Sequence, residues 1–496
     1  MQLRDIRQWI AIGKASVPVL IAIGTILLTL LMLVIALVRW ALARARRTID
    51  ASDPGAAANQ RGHQAMERKD FRAAVEAYGE AISQSPKVVD YYLDRAGAWT
   101  ALEDYEQAAQ DMSEAILLEP DEPKHKLRRA NCWFAAKRFK QALADYDDLL
   151  DREPNSADLL NRRANAKWQL GDHAGTIPDY DAALELEPRN ARFLFNRMYA
   201  KRETGDLAGA LTDANGLVKL APSVADHWIQ RGLLQNMIGR PAQAVSDFDQ
   251  AIELDPRDAS AWNNRGISKF TLQRYPEAIC DYDQAMVLTP GEAHLHSNRG
   301  YARRESGDLD GALADFNRAL QLQPDYGHAL SGLAHTQLLL GQFDVARRNA
   351  DRALVLGYSM ALQNRSTIHF TLGDFDAGFA DLRQHHQLHP QDIRTINLIA
   401  WLRATLPAPE ARNSAEALQF AKLAGELSHW RDPGVLDTVA AVCADAGRFD
   451  QAIAYQQQAL QLFQDTPPKE YVDRLPLYQA GQVYREQPAW LRTNMQ

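Results

Sequence analysis

The chain has 496 residues, 46% of them hydrophobic and 24% charged, a composition that fits a folded protein and excludes a disordered tail or a fibre. Its formal net charge of −8 hides an asymmetry: residues 1–47 hold seven basic groups (Arg4, Arg7, Lys14, Arg39, Arg44, Arg46, Arg47) against Asp5 alone, a net of +6 that leaves −14 on the remainder. An acidic body of this kind argues against nucleic acid as the main partner, and the three widely spaced cysteines (Cys132, Cys280, Cys443) match neither a disulfide framework nor a CxxC metal site.

The first element is apolar. Val17 to Val38, VPVLIAIGTILLTLLMLVIALV, runs 22 residues without one ionisable side chain. At about 1.5 Å rise per residue, a helix of this length covers the roughly 30 Å hydrocarbon core of a bilayer. Trp9 and Trp40 flank it at heights suited to the two interfaces. Ala41-Leu42-Ala43 has the small-x-small form of a cleavage site, but a signal-peptide core is only about 7–15 residues long. The expectation is therefore a retained, single-pass membrane helix at 17–38, with a flank at 1–16 and a basic linker at 39–54. Four arginines follow the span and three basic residues precede it. The positive-inside rule then favours a cytoplasmic body by a narrow margin and leaves a periplasmic one open.

Beyond the linker, prolines stand at Pro86, Pro120, Pro154, Pro188, Pro222, Pro256, Pro290 and Pro324, 34 residues apart every time. Such a register marks a repeat array. Within one unit, such as Ala261 to Pro290, apolar and small residues recur at three-to-four spacing in two runs. The break between the runs falls around Gln273–Pro276. That pattern predicts helix, tight turn, helix, and a proline that stops the second helix. In the fourth unit Pro178 falls inside a predicted helix, beside Gly175 and Thr176, and His173 replaces the usual aromatic. An interior proline costs about 3 kcal/mol, so a kink or a late helix start is expected there.

Trp262, Gly266, Ala278, Tyr282, Ala285 and Pro290 recur in other units as Trp228, Gly232, Ala244, Phe248, Ala251 and Pro256, and as Gly300, Ala312, Phe316, Ala319 and Pro324. With these large, small and stop residues in place, the chain resembles the tetratricopeptide repeat family from about Gly55 to Gln464. The resemblance implies an all-α fold: a right-handed superhelical solenoid of about twelve antiparallel helix pairs over 55–464. Its last four units are less regular. One ends at Tyr358 instead of proline, the next at Pro390, and the eleventh has a long inter-helix loop from Leu406 to Ser414. A polar closing helix from Tyr471 to Glu486, within a capping segment at 465–496, is expected to cover the last apolar face.

Two columns of charge share the 34-residue register. Arg61, Arg95, Arg129, Arg163, Arg197, Arg231, Arg265 and Arg299 form one; Asp111, Asp145, Asp179, Asp213, Asp247, Asp281 and Asp315 form the other. Both fall on the inward side of their helices. The guanidinium fork suits bidentate pairing with a carboxylate, which predicts a structural ladder in preference to a basic stripe for an acidic ligand.

Asparagines follow a different column. Asn196, Asn264, Asn298 and Asn364 stand one residue before the arginines, with Gln60 and Gln230 in the same place. Asn131, Asn165, Tyr199 and Tyr301 lie one turn on, Arg202 and Arg304 near a further turn, and Asn161 on the same face. In the family resembled, that face lines a concave groove that binds extended peptides. An amide offers donor and acceptor and so suits a peptide backbone; the bland alternative is that these residues solvate the face or bond neighbouring turns. The pattern is similar to the asparagine ladder of O-linked N-acetylglucosamine transferase. It departs from the carboxylate clamp of chaperone-binding members, which needs a lysine where Leu93 and Leu127 stand.

Motifs for catalysis do not emerge: there is no GxxxxGK[ST], HExxH or GxSxG, and no catalytic domain beside the repeats. His385 and His389 have metal-chelating spacing, yet His385 takes the packed small-residue position of its unit, which predicts a core histidine and no metal. The sequence thus predicts a membrane-tethered scaffold for protein or peptide ligands, without cofactor or small-molecule substrate. Two other readings stay open: a periplasmic assembly factor of the same fold, or the recruiting subunit of an enzyme complex.

Overall fold

The computed structural model describes residues 53–485 except residue 464. The expected membrane helix at 17–38 with its flanks, and the end of the tail from residue 486, lie outside the described residues. Among those described, no helix is long and apolar enough to cross a membrane.

The described residues form twenty-five α-helices and no strand. The first twenty-four make twelve consecutive antiparallel pairs, and the last, Lys469–Gln479, closes the series. The described residues divide into two compact bodies, the first ending at Leu220 and the second beginning at Ala221. The first holds five pairs and the second seven pairs with the closing helix. Each body is a solenoid in which every helix packs mainly on its sequence neighbours.

The seventh repeat shows why this sequence folds this way. Its first helix, Ala259–Thr271, begins where the Asp258 carboxylate accepts from the backbone N–H groups of Ser260 and Ala261 at 2.7 and 3.1 Å. A left-handed Gln273 turns the chain into the second helix, Tyr275–Leu288. Pro290 follows two residues after it and cannot continue it. Between the two helices Gly266 meets the Tyr282 ring so closely that a Cβ there would lie 2.7 Å from a ring carbon. A Cβ at Gly332, in the first helix of the ninth repeat, would lie 2.4 Å from the Phe316 ring of the eighth. Glycine here is a space requirement, and the aromatic fills the space it leaves.

Two local expectations need correction. The helix containing Pro178 starts on time, at His173, capped by Asp172, and continues to Leu186. The Lys167 ammonium donates to the Gly175 carbonyl at 3.1 Å within the turn that proline disturbs, and the His173 ring packs 4.2 Å from Trp168 in place of the missing aromatic. The closing helix spans Lys469–Gln479 instead of Tyr471–Glu486. It is less polar in role than expected, because Tyr478 and Arg474 are buried against the last repeats.

Candidate functional site

The two charged columns meet as bidentate pairs. Arg95 grips Asp111 at 2.9 and 2.6 Å, Arg129 grips Asp145 at 2.9 and 2.5 Å, and Arg163 grips Asp179 at 3.0 and 2.5 Å. Arg197–Asp213, Arg231–Asp247, Arg265–Asp281 and Arg299–Asp315 repeat the geometry. The seven aspartates are buried and the arginines partly so, with side-chain exposures from 14% to 26%. At the first rung burial pushes the Asp111 carboxyl above its usual range despite Arg95 beside it. Arg61 is the exception: its unit has Ala77 where the aspartate would stand, and it pairs with exposed Glu80 at 2.6 Å.

Three features of this ladder escaped the sequence reading. An eighth rung, Arg365–Asp381 at 2.8 and 2.6 Å, lies in the tenth repeat. Its arginine is out of the 34-residue frame, but the 16-residue interval from arginine to aspartate is intact. The free arm of several arginines also reaches back to the preceding repeat: Arg163 to Asp147, Arg197 to Asp181, Arg265 to Asp249, Arg299 to Asp283 and Arg365 to Asp351, at 2.6–3.1 Å. Finally, Lys167, Lys201, Lys269 and Arg303 add a second cation to the buried carboxylates at 2.8–3.0 Å. The ninth repeat has no rung, with Leu333 and Asn349 in the two places.

The asparagine face is less free than expected. Asn161 is buried, and its Oδ1 accepts from Asn196 Nδ2 at 3.0 Å. Asn161 therefore belongs to the packing between the fourth and fifth repeats and not to an open groove. Asn298 donates to Asn263 at 3.0 Å, and Asn364 donates to the Ser331 carbonyl and hydroxyl at 3.0 and 2.8 Å. Tyr301 is tied to the His328 carbonyl at 3.0 Å and packs edge-on against Phe316. Arg202 and Arg304 stack over Tyr199 and Tyr301 at 4.3 and 4.8 Å. Asn264 stays half-buried, and Gln60 is exposed. These residues fall in both bodies: Asn131 to Arg202 in the first, Asn264 to Arg304 in the second.

One part of the face forms a cavity. Asn131, Phe134, Tyr146, Arg162 and Asn165 line a space of about 370 Å³ in the third and fourth repeats. The buried Tyr146 hydroxyl donates to Asn131 Oδ1 at 2.9 Å, and the Arg162 guanidinium donates to the same oxygen at 2.9 Å. Arginine cannot accept, so this amide oxygen is fixed as the acceptor and its Nδ2 is left to donate elsewhere. The Tyr180 hydroxyl, its pKa pushed up to about 12 by burial, holds Asn165 Oδ1 in the same way at 3.0 Å. The cavity thus offers the amide donors of two residues 34 apart, beside the Arg162 guanidinium and the ring of Phe134. The sequence reading missed Arg162, although its place in the amide column one repeat before Asn196 is the signal that could have found it.

The histidines at 385–389 are structural. His385 is buried with Nδ1 bonded to the Thr395 hydroxyl at 3.1 Å, and His389 Nε2 bonds Ser359 at 2.9 Å. No group of three metal-capable side chains occurs among the described residues.

Family profiles described as tetratricopeptide repeat match residues 59–116, 101–157, 161–225 and 238–293, and a second such profile matches 303–354. No curated protein matches the sequence. Among solved structures, similarity extends to the MamA protein, at 22% identity over 34% of this chain and 92% of that one, with a TM-score of 0.33. YrrB, described as a TPR protein with an unusual peptide-binding site, is 19% identical over 37% of this chain and 95% of its own, with a TM-score of 0.34. Yeast Tom70 is 16% identical over 86% of this chain and 95% of its own, with a TM-score of 0.36.

Proposed function

We propose that this chain, which belongs to the tetratricopeptide repeat family, holds an extended segment of a partner protein against the first helices of its third and fourth repeats. Proteins of this family generally mediate protein–protein interaction. The observation that carries the reading is the orientation of the two amides. Buried tyrosines occupy the oxygens of Asn131 and Asn165, so both present donors to the cavity. An extended peptide offers carbonyl acceptors along its length, and donors at a fixed interval bind them without regard to side chains. The rest of the array acts as a scaffold, without catalysis. The apolar segment at 17–38 would tether it to a bilayer, with the body on the cytoplasmic side and the periplasmic side as the alternative.

Replacing both amides by their isosteres, Asn131→Asp and Asn165→Asp, tests this. Each carboxylate still accepts from its tyrosine but no longer donates to a ligand. Peptides selected from a random library on the full chain would then be titrated against native and variant protein. Two lost donors, each worth roughly 0.5–1.5 kcal/mol, correspond to a fall in affinity of about 5- to 150-fold. Equal affinity for both chains would remove the cavity from the function. A reporter fused after Gln496 decides the side of the membrane, and fractionation of a chain lacking 17–38 tests the tether.

A further inference from the structure

We propose that the first helices of the eleventh and twelfth repeats form a binding site for an extended segment carrying an aromatic residue followed by arginine, and that the chain's own Tyr484-Arg485 is its resident occupant. After the closing helix, Gly481 with φ 68° turns the chain, and residues 482–485 run without helical structure. They return to Ile393–Thr405 and Pro433–Asp445, the first helices of those two repeats.

Two seats receive them. Arg485 donates to the Ala404 carbonyl at 2.8 Å and to Asp445 Oδ1 at 2.6 Å. Ala404 lies in the last turn of its helix, where carbonyls lack an intrahelical partner and the dipole is negative. Asp445 has a side chain only 5% exposed, and its other oxygen accepts from the neutral Ser414 hydroxyl at 2.6 Å. Among the described residues, Arg485 is the one cation paired with it. A buried carboxylate without a cation is strongly unfavourable, so this seat selects a guanidinium that can serve both oxygens at once.

The second seat is aromatic. The Tyr484 ring lies 5.8 Å from Trp401, and the Arg474 guanidinium lies 4.6 Å from Tyr484 and 4.8 Å from Trp401. Arg474 is buried and fixed by Asp437 at 2.5 Å, so it belongs to the seat and not to the occupant. A cation within reach of two neighbouring rings favours an aromatic guest over an aliphatic one. Among the described residues, no backbone–backbone hydrogen bond ties 483–485 to either helix. The segment is therefore held by the two side chains, and a partner segment with the same pair can take its place.

The test uses full chains. A labelled peptide with the sequence of residues 479–488 would be titrated against the native chain and against the Tyr484→Ala, Arg485→Ala double variant, whose site is vacated. The peptide is expected to bind the double variant at least tenfold more tightly than the native chain, where the resident segment competes. Adding Asp445→Asn to the double variant should weaken binding at least tenfold, and so should replacing the tyrosine and arginine of the peptide by alanine. Equal binding to native and variant chains, no binding to either, or binding that survives the peptide's alanine pair would each overturn the proposal. Should the double variant fail to fold, Arg485→Gln alone vacates the cation seat while keeping the closing helix and Tyr484. The same comparison then decides.

Discussion

Arg265→Ala removes the centre of one rung. In the native protein Arg265 makes two bonds to buried Asp281, at 3.0 and 2.7 Å, and one to exposed Asp249 at 2.7 Å. Removing one partner of a fully buried ion pair costs about 3–5 kcal/mol, chiefly because the other charge is stranded. Two observations lower that figure here. Lys269 stays 2.8 Å from Asp281, and the arginine side chain is 14% exposed, so water can enter the space it leaves. The Asp249 contact adds only about 0–1 kcal/mol, as expected for a half-exposed carboxylate. The net loss should be about 2–3 kcal/mol. Arg265→Ala with Asp281→Ala should cost less than the sum of the two single changes, since no charge is stranded in the pair. Because a repeat array need not unfold in one step, hydrogen exchange resolved over 225–322 is the assay, with denaturant unfolding of the full chain beside it. A loss below about 0.5 kcal/mol for Arg265→Ala, or strict additivity in the double variant, would refute the idea that the rung is a coupled buried unit.

A methyl group at Gly332 would sit 2.4 Å from the Phe316 ring; Gly332→Ala should destabilise the eighth and ninth repeats by about 1–3 kcal/mol, read by local hydrogen exchange. Burial, with the Arg304 charge nearby, lowers the pKa of His328 to about 4 from an ordinary 6.5. The folded protein therefore favours the neutral ring, so this contribution is complete above pH 6.5 and lost progressively towards pH 4. It should amount to about 3 kcal/mol, and His328→Gln should flatten the fall in denaturant midpoint over that window. Asn196→Ala deletes the donor to buried Asn161 and should cost about 1–3 kcal/mol in thermal or chemical unfolding, where a freely exposed asparagine would cost nothing measurable.

The helix pairs were legible because every unit states the same pattern: a small residue, an aromatic to fill its gap, and a proline to stop. Where one cue failed, a neighbouring one held the fold. Pro178 did not delay its helix, whose start Asp172 caps. The charged rungs were readable as two columns in register. Their third members, such as Asp147 and Asp249, were not, because a second aspartate after the aromatic looks like ordinary solvated charge until the arginine's free arm is seen to reach it. The asparagine face misled for a related reason. Helical phase tells which way Asn161 and Asn196 point but not how close the next repeat approaches, and that distance turns one of them into core. The orientation of Asn131 depends on Tyr146, 15 residues later on another helix, and on Arg162, 31 residues later in another repeat.

The missing rung at the ninth repeat has a mechanical consequence. On one side stand Arg231–Asp247, Arg265–Asp281 and Arg299–Asp315, whose arginines cross-brace their helices with stiff, directional bonds; on the other stands Arg365–Asp381. Between them, Leu333 and Asn349 give the ninth repeat no bidentate ion pair; Asn349 makes instead one neutral hydrogen bond, to Gln337 at 2.8 Å, a weaker brace than a charged fork. Pulled along the stack, residues 221–485 would deform first at this repeat, bending there like a rod with one soft segment while the braced repeats on either side move as blocks.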